Sequence, residues 1–182
     1  KENFLTCTII YRESYKHYRR NDMKKILAVL LSLLINTGHT SNYVTEHDIT
    51  CLAKNIYFEA GNQPLVGKVA VANVTLNRVK DFQFPNTVCE VVYQAEWTTN
   101  WKGEEVPTRN RCQFSWFCDG KPDQPTDSET WVKSISIAEL VLDKYYPDLT
   151  ENSLWYHADY IKPNWSNYLN KTVQIEAHIF YK

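Results

Sequence analysis

The chain has a single methionine, Met23, and it does not stand at the start. It has no apolar run of the ~20 residues needed to cross a bilayer; the longest, Ile26 to Ile35, has ten. No Cys-x-x-Cys pair is present, which removes the common structural zinc patterns. Internal repeats and low-complexity segments are absent too, so a repeat architecture is excluded. Basic charge is not in excess. Of 20 Lys/Arg and 21 Asp/Glu, seven and three lie in residues 1–40, leaving 13 and 18 and a net charge of about −5 for the rest. An acidic domain without a basic stripe argues against nucleic-acid binding.

What is there begins with export. Met23 is followed by Lys24 and Lys25, then by the ten-residue apolar run, then by small and polar residues from Asn36 to Ser41. A basic start, a short apolar stretch and a small-residue exit describe a secretory signal peptide. We therefore expect residues 1–22 to be an upstream extension ahead of the true start, 23–41 the signal and 42–182 one domain. The protein is expected to be secreted, periplasmic or extracellular. It would touch a membrane only through an uncleaved signal. Four cysteines remain after processing: Cys51, Cys89, Cys112 and Cys118. An even count in an exported domain reads as two disulfides with three possible pairings. The short Cys112–Cys118 spacing favours a local loop, which leaves Cys51 with Cys89. Six Trp, twelve Tyr and seven Phe suit either a carbohydrate cleft or an aromatic core.

Glu59 is the leading candidate for chemistry. Ile49, Leu52, Ala53, Ile56 and Ala60 recur at i, i+3, i+4, i+7 and i+11, one face of an amphipathic helix. Glu59 projects at the margin of that stripe, where Gly61-Asn62 and Pro64 stop the helix. Partial burial and the negative end of the helix dipole both raise a carboxyl pKa. A glycosidase needs a carboxylic acid held protonated near neutral pH.

Thr45 to Asp48 fits a capping box ahead of this helix. A second helix is expected from near Pro64 through Val79, with Asn73, Asn77 and Arg78 on its other sides. A short one should span Thr87 to Tyr93. Residues 95–127, punctuated by Gly103, Pro107, Gly120, Pro122 and Pro125, read as a long loop forming a functional wall. A capping box at Thr126–Glu129 opens a helix to about Tyr145, with Trp131, Ile135, Ala138 and Leu142 as its apolar face. Two strands close the chain, Ser153–His157 and an alternating run from Thr172 to Tyr181. The fold class is α+β: mostly helical, with a small antiparallel sheet.

Four landmarks carry a family resemblance. They are Cys51 to Pro64; Gly67 to Val79 followed by Phe84-Pro85-Asn86-Thr87-Val88-Cys89; Cys112 to Gly120; and Tyr156 to Tyr160 with Pro163, Trp165 and His178 to Tyr181. Together they resemble the SleB-type cell wall hydrolases, lysozyme-like peptidoglycan-cleaving proteins of spore cortex lysis and bacteriophage. The resemblance covers nearly all of residues 48–182. It implies that Glu59 is the catalytic acid and that glycan strands are the partner. It also implies a lytic transglycosylase reaction giving 1,6-anhydro-N-acetylmuramic acid ends. One departure stands out: the family's arginine-glycine-glutamate after Glu-Ala is here Gly61-Asn62-Gln63, a neutral amide replacing a carboxylate.

Gln113, Ser115, Tyr156 and His157 are expected to bond sugar groups or hold Glu59, and Trp116 and Trp165 to offer ring faces. Glu90, Glu96, Glu104, Glu105, Asp119 and Asp159 have no spacing that singles out a second carboxylate. His157 and His178 lack an acidic partner at ligand spacing, so no metal or cofactor is expected. The protein is expected to be a monomer. Three alternatives stay open: a hydrolytic muramidase, a non-catalytic wall-binding module, and a cysteine-dependent amidase or peptidase using Cys112 or Cys118 with His157.

Overall fold

A computed structural model describes residues 44–182. The expected upstream extension and signal peptide lie outside the described residues. Among the described residues no helix is long and apolar enough to cross a membrane.

Helix α1 (Glu46–Ala60) opens with the expected box: the Thr45 hydroxyl accepts from Asp48 N and the Asp48 carboxylate accepts from Thr45 N. Its end differs from a left-handed glycine cap, because Gly61 keeps right-handed dihedrals (φ −55°, ψ −33°). Glycine serves close approach instead: a Cβ there would lie 2.4 Å from the Tyr57 carbonyl oxygen. Helix α2 (Leu65–Lys80) follows and α3 (Val88–Val92) is capped by Thr87. Asn73, Asn77 and Arg78, on the other sides of α2, fix it to a segment later in the chain. All three are buried, because helices cover one flank of α2 and the chain from 148 to 154 covers another.

The 95–127 stretch is not a continuous loop. Strands β1 (Ala95–Thr99) and β2 (Glu105–Cys112) form an antiparallel ribbon with Trp97 opposite Pro107 and Thr99 opposite Glu105. Asn100 closes the turn, its side-chain oxygen accepting from Lys102 N and Glu104 N, with Gly103 left-handed at φ 81°. The ribbon is largely exposed on both faces, so it has no apolar alternation to read. A 3₁₀ turn, Ser115–Cys118, follows.

Helix α4 (Ser128–Leu142) starts one residue later than expected, because Asp127, not Thr126, caps it by accepting from Thr130 N at 2.7 Å. It stops before Tyr145. Lys144 is left-handed (φ 60°), Lys144 N donates to Val141 O and Tyr145 N to Leu140 O, the Schellman pattern. Its buried stripe is rotated towards Ser134, Ile137, Ala138 and Val141. Strand β3 (Trp155–Ala158) is short, and the expected 172–181 strand is a hairpin. Its arms β4 (Lys171–Ile175) and β5 (His178–Tyr181) turn at Glu176 (φ 50°) and Ala177, giving the sheet order β3-β5-β4.

The fold is α+β as expected. One core lies among the four helices and the 3₁₀ turn; a smaller one, with Ala70, Val74 and Phe180, joins α2 to the sheet. Disulfides Cys51–Cys89 and Cys112–Cys118 are both formed, tying α1 to α3 and closing the chain around the 3₁₀ turn.

Candidate active site

Glu59 lies on the last turn of α1 and is half-buried. It lines a cavity of about 330 Å³ together with Phe58, Ser115, Trp116, Asp119, Lys121, Pro122 and Asp123. The Tyr156 hydroxyl donates to Glu59 Oε2 at 3.0 Å. Burial pushes the Glu59 carboxyl up, while the Tyr156 bond and the positive charge of Arg78 pull it back; burial wins. Burial and the neighbouring Glu59 charge push the Tyr156 phenol well up, so it remains a donor. The site therefore shifts Glu59 towards its protonated form and gives it one oriented partner.

Arg78 is 4% exposed. Its guanidinium lies 5.1 Å from the Phe84 ring centroid and 5.0 Å from that of Phe114, and Nε donates to Leu154 O at 2.8 Å. Aromatic faces and a carbonyl stabilise a cation that burial would otherwise penalise. Arg78→Met keeps most of the packing volume and deletes the charge. It should cost about 2 kcal/mol for the lost charged hydrogen bond. It should also let the Glu59 carboxyl rise further, so the basic limb of the pH–activity profile moves to higher pH. A thermal melt and a pH profile check both, and an unmoved limb would show that Arg78 does not act on the acid.

Residues of α1 also hold Trp116 in the cavity wall. Asn55, one turn before Glu59, is fully buried; its Nδ2 donates to Thr75 Oγ1 and its Oδ1 accepts from Trp116 Nε1, each at 3.1 Å. Trp116 stacks on Phe58 with centroids 4.7 Å apart. Its N–H and one face are thereby occupied and it is 7% exposed, so it is cavity wall, not an open sugar platform. No sequence signal marks Asn55 for this role. Tyr57 Oη accepts from Thr126 N and Asp127 N at 3.1 and 2.9 Å, fastening the end of the 119–127 segment to α1.

The structure divides the expected site residues. Glu59, Ser115 and Trp116 share the cavity, and Tyr156 reaches it through its hydroxyl. Gln113 is exposed at the end of β2, outside that lining. His157 and Trp165 are elsewhere. Side chains alternate along β3, so His157 faces away from Tyr156. It bonds Ala158 O and the Tyr181 hydroxyl and packs against Trp165 and Tyr181. Gln63 does not face the cavity either; its Oε1 accepts from Ala177 N on the β4–β5 turn at 3.4 Å, a structural use of the amide.

Among the described residues, the grouping close enough to hold a metal is His47, Cys51 and Cys89, but the two sulfurs are bonded to each other and supply no thiolate. Cys112 and Cys118 are also paired, so neither is a free nucleophile for the amidase reading.

A family described as Cell Wall Hydrolase matches residues 62–181, beginning just after Glu59. The spore cortex-lytic enzyme of Bacillus cereus is 43% identical over 53 residues, 29% of this chain and 20% of that protein. The enzyme of that name from Bacillus subtilis is 42% identical over 50 residues, 28% of this chain and 16% of that protein. The chain thus matches about a fifth or less of the length of these curated relatives. Among solved structures, the catalytic domain of the germination-specific lytic transglycosylase SleB from Bacillus anthracis aligns at TM-score 0.56 and 30% identity, covering 79% of this chain and all of that one. The catalytic domain of Bacillus cereus SleB aligns at TM-score 0.57 and 29% identity, covering 81% of this chain and all of that one. With the family match spanning most of the chain and a catalytic-domain structure covered end to end, this chain belongs to the cell wall hydrolase family.

Proposed function

We propose that this protein cleaves the bond between N-acetylmuramic acid and N-acetylglucosamine in peptidoglycan outside the cytoplasm, as a lytic transglycosylase. The observation that carries the reading is the Glu59 carboxyl, half-buried, biased to its protonated form and oriented by Tyr156 in a solvent-open cavity. As general acid, Glu59 gives its proton to the leaving glycosidic oxygen. As the resulting carboxylate, it takes the proton of the muramic acid 6-hydroxyl while that oxygen closes on C1. Glu59 ends protonated, the product is a 1,6-anhydro sugar and no water is consumed. The likeness to a solved domain described as a lytic transglycosylase supports this outcome over simple hydrolysis.

A hydrolytic muramidase is the second reading, favoured by the carboxylates Asp119 and Asp123 in the same cavity. Mass spectrometry of muropeptides released by the protein from purified peptidoglycan separates the two. Ends in 1,6-anhydro-N-acetylmuramic acid are expected; reducing ends one water heavier would establish hydrolysis. No release from any wall preparation by folded, oxidised protein would favour a non-catalytic wall-binding module.

A further inference from the structure

Two carboxylates share the Glu59 cavity, and they are not equivalent. Asp119 is engaged: its Oδ1 accepts from Lys121 N at 2.8 Å and its Oδ2 pairs with Lys121 Nζ at 3.3 Å. Asp123 is half-buried in the same wall and makes no side-chain hydrogen bond or ion pair among the described residues. Its oxygens are not among the buried polar atoms left without a partner, so they stay open to the cavity and to whatever enters it.

Its position is also fixed. Pro122 and Pro125 restrict the backbone on either side. The disulfide at Cys118 anchors the segment upstream, and Tyr57 fastens Thr126 and Asp127 downstream. Tyr57 is two residues before Glu59 on α1, so the acid and Asp123 are held on one frame. Burial raises the Asp123 carboxyl above its ordinary value, Lys54 on the same helix as Glu59 pulls it partly back, and Asp119 adds to the rise.

We infer that Asp123 is a second catalytic carboxylate, facing the substrate across the Glu59 cavity and stabilising the positive charge that develops at the anomeric carbon as the glycosidic bond breaks. It forms no bond and moves no proton; it acts as a fixed negative charge toward an oxocarbenium-like transition state. This rests on the reading of Glu59 as the acid. The sequence did not mark Asp123, because spacing cannot reveal a carboxylate left without a partner.

The test is steady-state cleavage of peptidoglycan by the wild-type protein, D123N, D123E, D119N and E59Q, each with a thermal melt. D123N should lower kcat by about 10²-fold, with KM, melting temperature and the chemical nature of the product ends unchanged. D123E, which keeps the charge, should retain more kcat than D123N. D119N should change kcat far less, although it removes a charge from the same wall. Wild-type kcat in D123N, a change confined to KM, or equal losses in D119N and D123N would overturn the inference. An E59Q protein as active as wild type would instead overturn the role of Glu59, and with it the reading on which Asp123 depends.

Discussion

Glu59→Gln is expected to lower peptidoglycan cleavage by about 10²- to 10⁴-fold, the range for removing a positioned acid–base group, without loss of fold. The amide keeps the shape and its oxygen can still accept from the Tyr156 hydroxyl, which bonds Glu59 Oε2 at 3.0 Å. It cannot give a proton to a leaving oxygen or take one from the 6-hydroxyl, so both halves of the reaction fail together. The same substitution should raise stability at neutral pH. Burial lifts the native carboxyl above its ordinary value of 4.5, so over the interval from there upward the native state binds more protons than the unfolded state. Wild-type stability therefore falls as pH rises through that interval, whereas the glutamine protein has no proton to lose there. Melts of the two proteins should converge in acid and separate towards neutrality, with glutamine higher. Separation of the opposite sign would mean that the Glu59 charge is well compensated and that the acid is not biased towards protonation.

Replacing Cys51 and Cys89 by alanine is expected to cost about 4 kcal/mol of unfolding free energy on the chain-entropy account of a 38-residue separation. That is a large part of the ~5–15 kcal/mol typical of a domain. The corresponding loss for Cys112 and Cys118, only six residues apart, is about 2 kcal/mol. Functionally the order reverses. The long bridge holds the body of α1 to α3, while the short one frames the 3₁₀ turn that brings Ser115 and Trp116 to the cavity. Urea titrations of the two double-alanine proteins should show the larger midpoint loss for the Cys51–Cys89 pair. Activity at low denaturant should suffer more from losing Cys112–Cys118. Equal midpoint losses would show that strain or residual denatured structure, not loop length, governs these bridges.

The helical frame was legible in the sequence because its signals are local. Thr45 and Asp48 cap each other within one turn, and the Leu52–Ile56–Ala60 stripe does lie in the core. Glu59 was legible through its position on that stripe together with the family landmarks. The β1–β2 ribbon was not, since a strand pair that buries neither face has no alternation to show. The β4–β5 hairpin was hidden for the opposite reason: alternation runs on through Glu176 and Ala177, and no glycine or asparagine marks the turn. His157 and Tyr156 are adjacent in the chain, but strand geometry sends them to opposite faces and makes only one a partner of Glu59. Asn55, Tyr57 and Arg78 act through partners 61, 70 and 76 residues away, separations that a reading of one chain cannot pair.

The grip of Tyr57 on Thr126 and Asp127 has a consequence for how a glycan is received. Immobilising a backbone residue costs roughly 1–2 kcal/mol in conformational entropy, and a loop that closed over its ligand would deduct that cost, residue by residue, from affinity. Here the segment between Cys118 and Thr126 is secured at both ends before any sugar arrives. The cleft behaves as a preformed mould, so recognition should favour strands whose own shape already fits over those that must be folded into place.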